Sequence, residues 1–282
     1  MTDTTELKSR FVEVKQRIAE AAERSGRAPA SVHLVAVTKY AAIDQIRELV
    51  QLGHRDLGEN HIANLVSRAA LVDEWAARSR AMPSALPAAG LPDLIASPIR
   101  WHLIGPVQTN KVRKALELVR LIHTVDNLRV AEALHEEALN RDEPCEILVQ
   151  INASGELTKG GLALPAVPYI IETIEGMTSL RCRGIMTMAP HEADPEQTRM
   201  TFRRAREVFE DIRTQGIAGP AFDILSMGMS NDYEIAISEG ANIVRVGSAI
   251  FGSLPDEEHE HTAEPERATG AEPGASPAEA DH

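Results

Sequence analysis

Apolar runs recur along the chain at a steady interval. Short, β-branched runs lie at 32–37 (VHLVAV), 55–57 (RDL), 100–104 (RWHLI), 120–123 (RLIH), 146–151 (EILVQI), 180–186 (LRCRGIM), 222–226 (FDILS) and 242–246 (NIVRV). Such runs, bounded by turn residues, read as buried strands. Between them the apolar positions take helical spacing, at 42–52, 127–140, 165–175 and 195–214. An opening helix over 5–25 carries Leu7, Val12, Val14, Ile18, Ala21 and Ala22, and Gly26 and Pro29 end it. Strands alternating with helices imply parallel pairing. Eight strands with seven or eight helices predict a closed (β/α)8 TIM barrel, α/β in class and a single domain. An open doubly wound sheet is the alternative.

Two segments break the rhythm. Residues 79–98 carry four prolines and a glycine and read as a flexible insertion in a barrel spanning 1–252. Residues 253–282 are rich in Ala, Glu and Pro, with almost no large apolar residue. That composition predicts a disordered acidic tail. Of the net charge of −13, the tail holds −8, from nine Asp/Glu and one Arg. The body is therefore only mildly acidic. With no basic stripe, nucleic acid is not expected as a partner.

Cys145 and Cys182 are far apart and in no CxxC pattern, which suits reduced thiols in a cytoplasmic protein. The N-terminus has no signal-peptide core, and no run reaches the ~18 apolar residues of a membrane span.

Candidate chemistry begins at HLVAVTKYA (33–41), where an apolar strand ends on Lys39. Alone, this lysine reads as the strand's exit into solvent. In a barrel, however, strand carboxyl ends form the active-site mouth. Lys39 shares a strand face with Val35 and Val37, so apolar side chains lie beneath it. Partial desolvation there favours the neutral amine, which attacks a carbonyl to form a Schiff base.

The last two strands add a second feature. SMGMSND (226–232) and RVGSAIFG (245–252) follow strands seven and eight, where barrels commonly hold phosphate. Free backbone N–H groups and a helix dipole favour an anion there. Gly228 and Gly247 permit close backbone approach, and Ser226, Ser230 and Ser248 carry hydroxyls. Each loop alone reads more readily as a helix cap, and it is their joint placement that points to phosphate. Arg245 interrupts an apolar strand and reads as an inward donor to a bound ring or anion. Amine, phosphate cradle and arginine together suit pyridoxal 5′-phosphate.

The stretches LVAVTK (34–39), GEN (58–60), WHLIGPVQTNK (101–111), GIMTMAP (184–190), SMGMSND and RVGSAIFG resemble the YggS/PROSC pyridoxal phosphate homeostasis proteins, over residues 5 to 252. The resemblance implies an alanine racemase N-terminal-like barrel. It assigns the cofactor lysine to Lys39, the phosphate to the two late loops and the ring nitrogen to Arg245.

Other residues keep two readings. Asn60 and His102 point toward the mouth, as cofactor contacts or as hydrogen-bonded structural groups. Met186 and Met188 line the ring or simply pack. His259 and His261, in the tail, are not expected to bind a metal.

Two functions compete: a non-catalytic carrier that supplies pyridoxal phosphate to apo-enzymes, and an amino-acid racemase. A racemase needs a second base opposite Lys39. The alanine racemase family supplies it as a tyrosine from a separate C-terminal domain, which this sequence is expected to lack. Of three tyrosines, Tyr40 is expected on the opposite strand face, and Tyr169 and Tyr233 at helix starts. An open mouth favours exchange over catalysis, which gains from excluding water. A monomeric carrier holding the cofactor as a reversible lysine aldimine is the expectation. An aldolase-type reaction would need a carboxylate or second lysine facing Lys39, and none is evident.

Overall fold

The structure, a computed structural model, describes residues 4–81, 98–156, 160–190 and 193–252. Among the described residues nine parallel strands occur: β1 (His33–Val37), β2 (Asp56–Glu59), β3 (Arg100–Leu103), β4 (Val119–Val125), β5 (Cys145–Asn152), β6 (Leu162–Ala163), β7 (Leu180–Met186), β8 (Ile224–Ser226) and β9 (Ile243–Val246). Eight of them close on themselves. The order runs β4-β3-β2-β1-β9-β8-β7-β5, and β4 pairs with β5 to complete the ring. The expected barrel is therefore the observed fold, and the open sheet is excluded. The two-residue β6, which the sequence pattern did not reveal, lies against the end of β5.

The helices are α1 (Thr4–Arg24), α2 (Ile43–Gln51), α3 (Ile62–Ala81), α4 (Val112–Leu116), α5 (Leu128–Ala138), α6 (Val167–Glu175), α7 (Pro195–Thr214), α8 (Tyr233–Ser238) and α9 (Ser248–Phe251). Helix α3 continues through Ala81, past the expected start of the insertion at 79. Residues 82–97 and the tail 253–282 lie outside the described residues. Helix α1 buries Leu7, Phe11, Val14 and Ile18, a stripe at intervals of three and four. Val12, expected on that stripe, is 53% exposed; Phe11 takes the place. Arg10 ties α1 to α9 by donating from Nε to the Ile250 carbonyl at 2.8 Å.

Alternation along the strands makes two cores. Leu57, Trp101, Leu103, Ile122, Ile147, Val149, Leu225, Val244 and Val246 face the helices. Val35, Leu121, Leu148, Met186 and Ile243 fill the barrel interior. The barrel is thus a packed core and not a pore, and polar interior groups must pair with one another. At its floor Glu146 meets Arg120 at 2.6 Å and Arg183 at 2.9 Å, and Arg183 also reaches Asp223 at 2.8 Å.

Gly184 marks a bulge in β7 at φ 149°. A Cβ there would lie 1.8 Å from the Ile224 carbonyl oxygen of β8. Neither the backbone angle nor the β7–β8 spacing tolerates a side chain. Gly184→Ala is expected to cost about 3 kcal/mol or more in urea unfolding. A loss below about 1 kcal/mol would contradict this tight interstrand contact.

Candidate functional site

Thr38, Lys39 and Tyr40 leave β1 in a turn at the carboxyl end of the barrel. The turn is braced from below. Thr38 donates its backbone N–H to the Gly58 carbonyl at 2.9 Å and its hydroxyl to Glu59 Oε1 at 2.5 Å. Arg68 of α3 pairs with the same carboxylate oxygen at 3.2 Å. It also donates to the carbonyls of Ala41 at 2.8 Å and Lys39 at 3.4 Å. Glu59 shares the face of Leu57, so this brace lies between sheet and helices. Burial raises its carboxyl above the ordinary range, while Thr38 and Arg68 act in the opposite direction.

Lys39 is half-buried, with Nζ 4.8 Å from the Tyr40 ring centroid, a cation–π arrangement. This corrects the expectation that Tyr40 turns to the opposite strand face. Both residues lie beyond the strand, where strict alternation no longer holds.

The pairing of β1 with β9 sets the next neighbour. Ala36 lies opposite Val246, so the following residues, Val37 and Gly247, come together. A Cβ on Gly247 would lie 3.1 Å from the Val37 carbonyl oxygen. The turn carrying Lys39 therefore abuts the Gly247-Ser248 loop. Ser230 ties this loop to the one after β8: its hydroxyl accepts from the N–H groups of Gly247 at 3.2 Å and Ala249 at 3.4 Å. Among the described residues, the backbone N–H groups of Ser230, Asn231 and Ser248 have no hydrogen-bond partner. They form a set of unspent donors beside exposed Ser248 and half-buried Ser230. Helix α9 has only four residues, so these donors matter more than the expected helix dipole.

Gly228 serves another purpose than expected. It sits at φ 95°, and a Cβ would lie 2.6 Å from Ala236 Cβ. Its lack of a side chain lets the loop pack on α8.

Arg245 does point inward and is 4% exposed. It donates from Nη1 to Ser226 Oγ at 2.6 Å and from Nη2 to the Thr187 carbonyl at 3.0 Å. Both partners are neutral. Burial lowers its pKa to about 10, so it is still charged at neutral pH. Ser226 is fully buried beneath Arg245, and Met186 packs in the interior cluster. Asn60 is half-buried after β2, where its backbone presses against Gly105, and its side chain has no hydrogen-bond partner among the described residues.

His102 departs from the sequence expectation. Its ring lies inside the barrel, with Nδ1 3.0 Å from His123 Nε2 and Nε2 3.2 Å from Asp56 Oδ1. Asp56 opens β2, so the ring reaches toward the floor and not the mouth. His123, which sequence reasoning passed over, lies between His102 and Ser226, with Nδ1 3.1 Å from Ser226 Oγ. Its alternation with inward Leu121 on β4 was the available signal. Thr38, Glu59 and Arg68 were also missed, since a brace shows itself only through contacts.

The donor set can be tested against pyridoxal phosphate. A primary amine at Lys39, free N–H groups with serine hydroxyls, and an arginine whose hydrogen-bond partners among the described residues are neutral match an aldehyde, a phosphate and a ring nitrogen. The residues fit the cofactor.

A closed parallel barrel with a lysine turn at its mouth defines the class. The alanine racemase N-terminal domain family model matches residues 13–255, and the chain belongs to that family. The chain is 35% identical over 243 residues to the pyridoxal phosphate homeostasis protein of Pseudomonas aeruginosa, covering 86% of this chain and 94% of that protein. It is 32% identical to the protein of that name from Escherichia coli over the same shares. Among solved structures, PipY of Synechococcus elongatus with pyridoxal phosphate bound is 30% identical, with TM-score 0.65, covering 83% of this chain and all of that one. An alanine racemase of Clostridium difficile shares the fold at 15% identity, with TM-score 0.62, covering 90% of this chain and 58% of that one. Within the barrel class, the chain belongs with the pyridoxal phosphate homeostasis proteins.

Among the described residues no helix is long and apolar enough to cross a membrane, and no cluster of His, Cys, Asp or Glu could hold a metal ion. Cys145 and Cys182 are free and buried, and burial pushes both thiols up to about 12.

Burial holds His123 neutral far below the ordinary histidine range, with His102 and Arg245 adding to the effect. Burial likewise lowers His54 to about 4. The unfolded chain takes up these protons near pH 6.5, the folded chain only at lower pH. In that window the unfolded state binds more protons, so stability rises with pH. The contribution is complete above about pH 6.5 and is lost as pH falls toward 4. Urea midpoints are expected to drop between about pH 7 and pH 5. A midpoint unchanged or rising toward acid would contradict the neutral burial of these rings.

Proposed function

We propose that this chain binds pyridoxal 5′-phosphate and acts in its intracellular homeostasis, holding the cofactor reversibly and supplying it to apo-enzymes without catalysing a reaction. The observation that carries the reading is the contact of the Lys39 turn with the Gly247-Ser248 loop above buried Arg245. The family membership, and a relative solved with this cofactor, support it.

When bound, the cofactor supplies an aldehyde that condenses reversibly with a primary amine, an anionic phosphate and a pyridine nitrogen. Lys39 provides the amine, held in place by the Thr38–Glu59–Arg68 brace. The N–H groups of Ser230, Asn231 and Ser248, with the serine hydroxyls, receive the phosphate. Arg245 donates to the ring nitrogen, and Ser226 orients it from below. Met186 supports the ring side of the pocket floor, Gly228 and Gly247 shape the loops, and Asn60 stands at the rim.

The tyrosines support a non-catalytic role. Tyr233 is 1% exposed and packs its ring against Arg17 of α1, at 5.6 Å. Tyr169, in the first turn of α6, is 66% exposed. Tyr40, 66% exposed, meets Lys39 through its ring face and not its hydroxyl. None is placed as a base across from Lys39, as racemisation requires. Every residue assigned comes from one chain, so a monomer is sufficient. Two unpaired thiols suit a reducing, cytoplasmic setting.

The purified chain with pyridoxal phosphate is expected to show a visible absorption band, which Lys39→Ala abolishes while the fold is retained by circular dichroism. Persistence of the band in Lys39→Ala would place the attachment on another lysine. With L-alanine added, chiral chromatography is expected to find no D-alanine over hours. Steady D-alanine formation would make the chain a racemase.

A further inference from the structure

Five side chains form one unbroken polar line through the barrel interior. Arg245 Nη1 lies 2.6 Å from Ser226 Oγ, and Ser226 Oγ lies 3.1 Å from His123 Nδ1. His123 Nε2 lies 3.0 Å from His102 Nδ1, and His102 Nε2 lies 3.2 Å from Asp56 Oδ1. Arg100 Nε also donates to that carboxylate, at 2.7 Å. The line joins a buried cation near the mouth to a carboxylate at the floor. Leu121 and Leu148, in the same interior, offer it no polar alternative.

The chemistry of the groups sets its direction. A guanidinium has donors and no acceptor, so Arg245 donates to Ser226 Oγ. The Ser226 hydroxyl then has one hydrogen to place, and His123 Nδ1 is the only other side-chain atom within hydrogen-bond distance of it among the described residues. Hence Nδ1 of His123 accepts and its proton sits on Nε2. That proton goes to His102 Nδ1, and the proton of His102 Nε2 goes to the Asp56 carboxylate. The reverse arrangement, with a doubly protonated His102, would send two donors into Ser226 Oγ. It would leave the serine hydrogen unplaced in a buried site, which is costly. Burial of His123 also disfavours any added charge there.

We propose that Ser226, His123, His102 and Asp56 act as positioning residues that hold Arg245 in one orientation for the cofactor's ring nitrogen. The inference rests on the proposed role of Arg245. The Ser226 and Thr187 contacts occupy two of its five N–H donors and clamp the guanidinium from two sides. A buried guanidinium with no carboxylate among its hydrogen-bond partners in the described residues would otherwise be free to turn toward any acceptor. The line fixes the Ser226 hydroxyl as an acceptor for Arg245, while Asp232, in the loop after β8, supplies favourable charge.

The test compares dissociation constants for pyridoxal phosphate and for its 1-deaza analogue, in which carbon replaces the ring nitrogen. The unsubstituted chain is expected to prefer the natural cofactor about tenfold, as one charged donor–acceptor bond warrants. His123→Phe and His102→Leu, neither of which alters a cofactor-contacting residue, are expected to reduce the preference to less than about threefold. If the unsubstituted chain binds both compounds equally, the ring-nitrogen role of Arg245 fails and the proposal falls with it. If it discriminates and the folded variants discriminate equally, the positioning proposal alone is overturned. A second measurement needs no variant and no cofactor. Nitrogen-15 NMR of the histidine rings is expected to show His102 and His123 each with its single proton on Nε2. A proton on Nδ1 of either ring would overturn the direction of the line, whatever the variants do.

Discussion

The parallel pairing of β1 with β9 is the constraint on which the molecule depends. It joins residues 33–36 to 243–246 and turns a sheet into a ring. Closure removes sheet edges, so the strands need no protection against pairing with other chains. It also seals the inward face from water. Groups that would be trivial on a surface must then find partners inside. The same pairing brings the turn after the first strand against the loop after the last. The site is thus a direct consequence of ring closure.

The interior answers the demand in two ways. Apolar residues from β1, β4, β5, β7 and β9 fill most of the space. Polar groups there form two sets of paired residues: the ionic floor around Glu146 and the line from Asp56 to Arg245. Removing one member of such a set leaves its partner buried and unsatisfied, which costs more than the bond itself contributes. This explains how a guanidinium can sit in the interior while touching only a hydroxyl and a carbonyl. The arrangement is local, and Asp232 in the loop after β8 supplies favourable charge.

Around this rigid interior, the mouth is built from short loops. The Lys39 turn is held by a buried carboxylate and an arginine of α3, and the two late loops are tied by one serine hydroxyl. Among the described residues several backbone donors there have no partner, which suits a surface that receives an anion and releases it. The mouth holds the groups that would bind the cofactor, and no tyrosine stands across from Lys39 to move a proton. That asymmetry is the physical ground for reading a carrier in a barrel that also serves racemases.

The eight main strands and most helices were legible in the sequence, because burial of one face imposes periods of 2 and 3.6 that survive in the order of residues. Lys39, Arg245 and the two late loops were legible for a related reason. Each breaks an apolar pattern at a strand end, and a barrel fixes which end is functional. Short features escaped. The two-residue β6 has no room for a period, and the choice of Phe11 over Val12 on α1 turned on one position of phase. The orientation of Tyr40 was misjudged because alternation stops where the strand stops. What only the tertiary structure decided is the company each polar group keeps. His123 became a member of the interior line, His102 turned from the mouth to the floor, and Glu59 became a brace. Those roles depend on register between strands distant in sequence, and periodicity reports which face a residue occupies, not which neighbour closure brings to it.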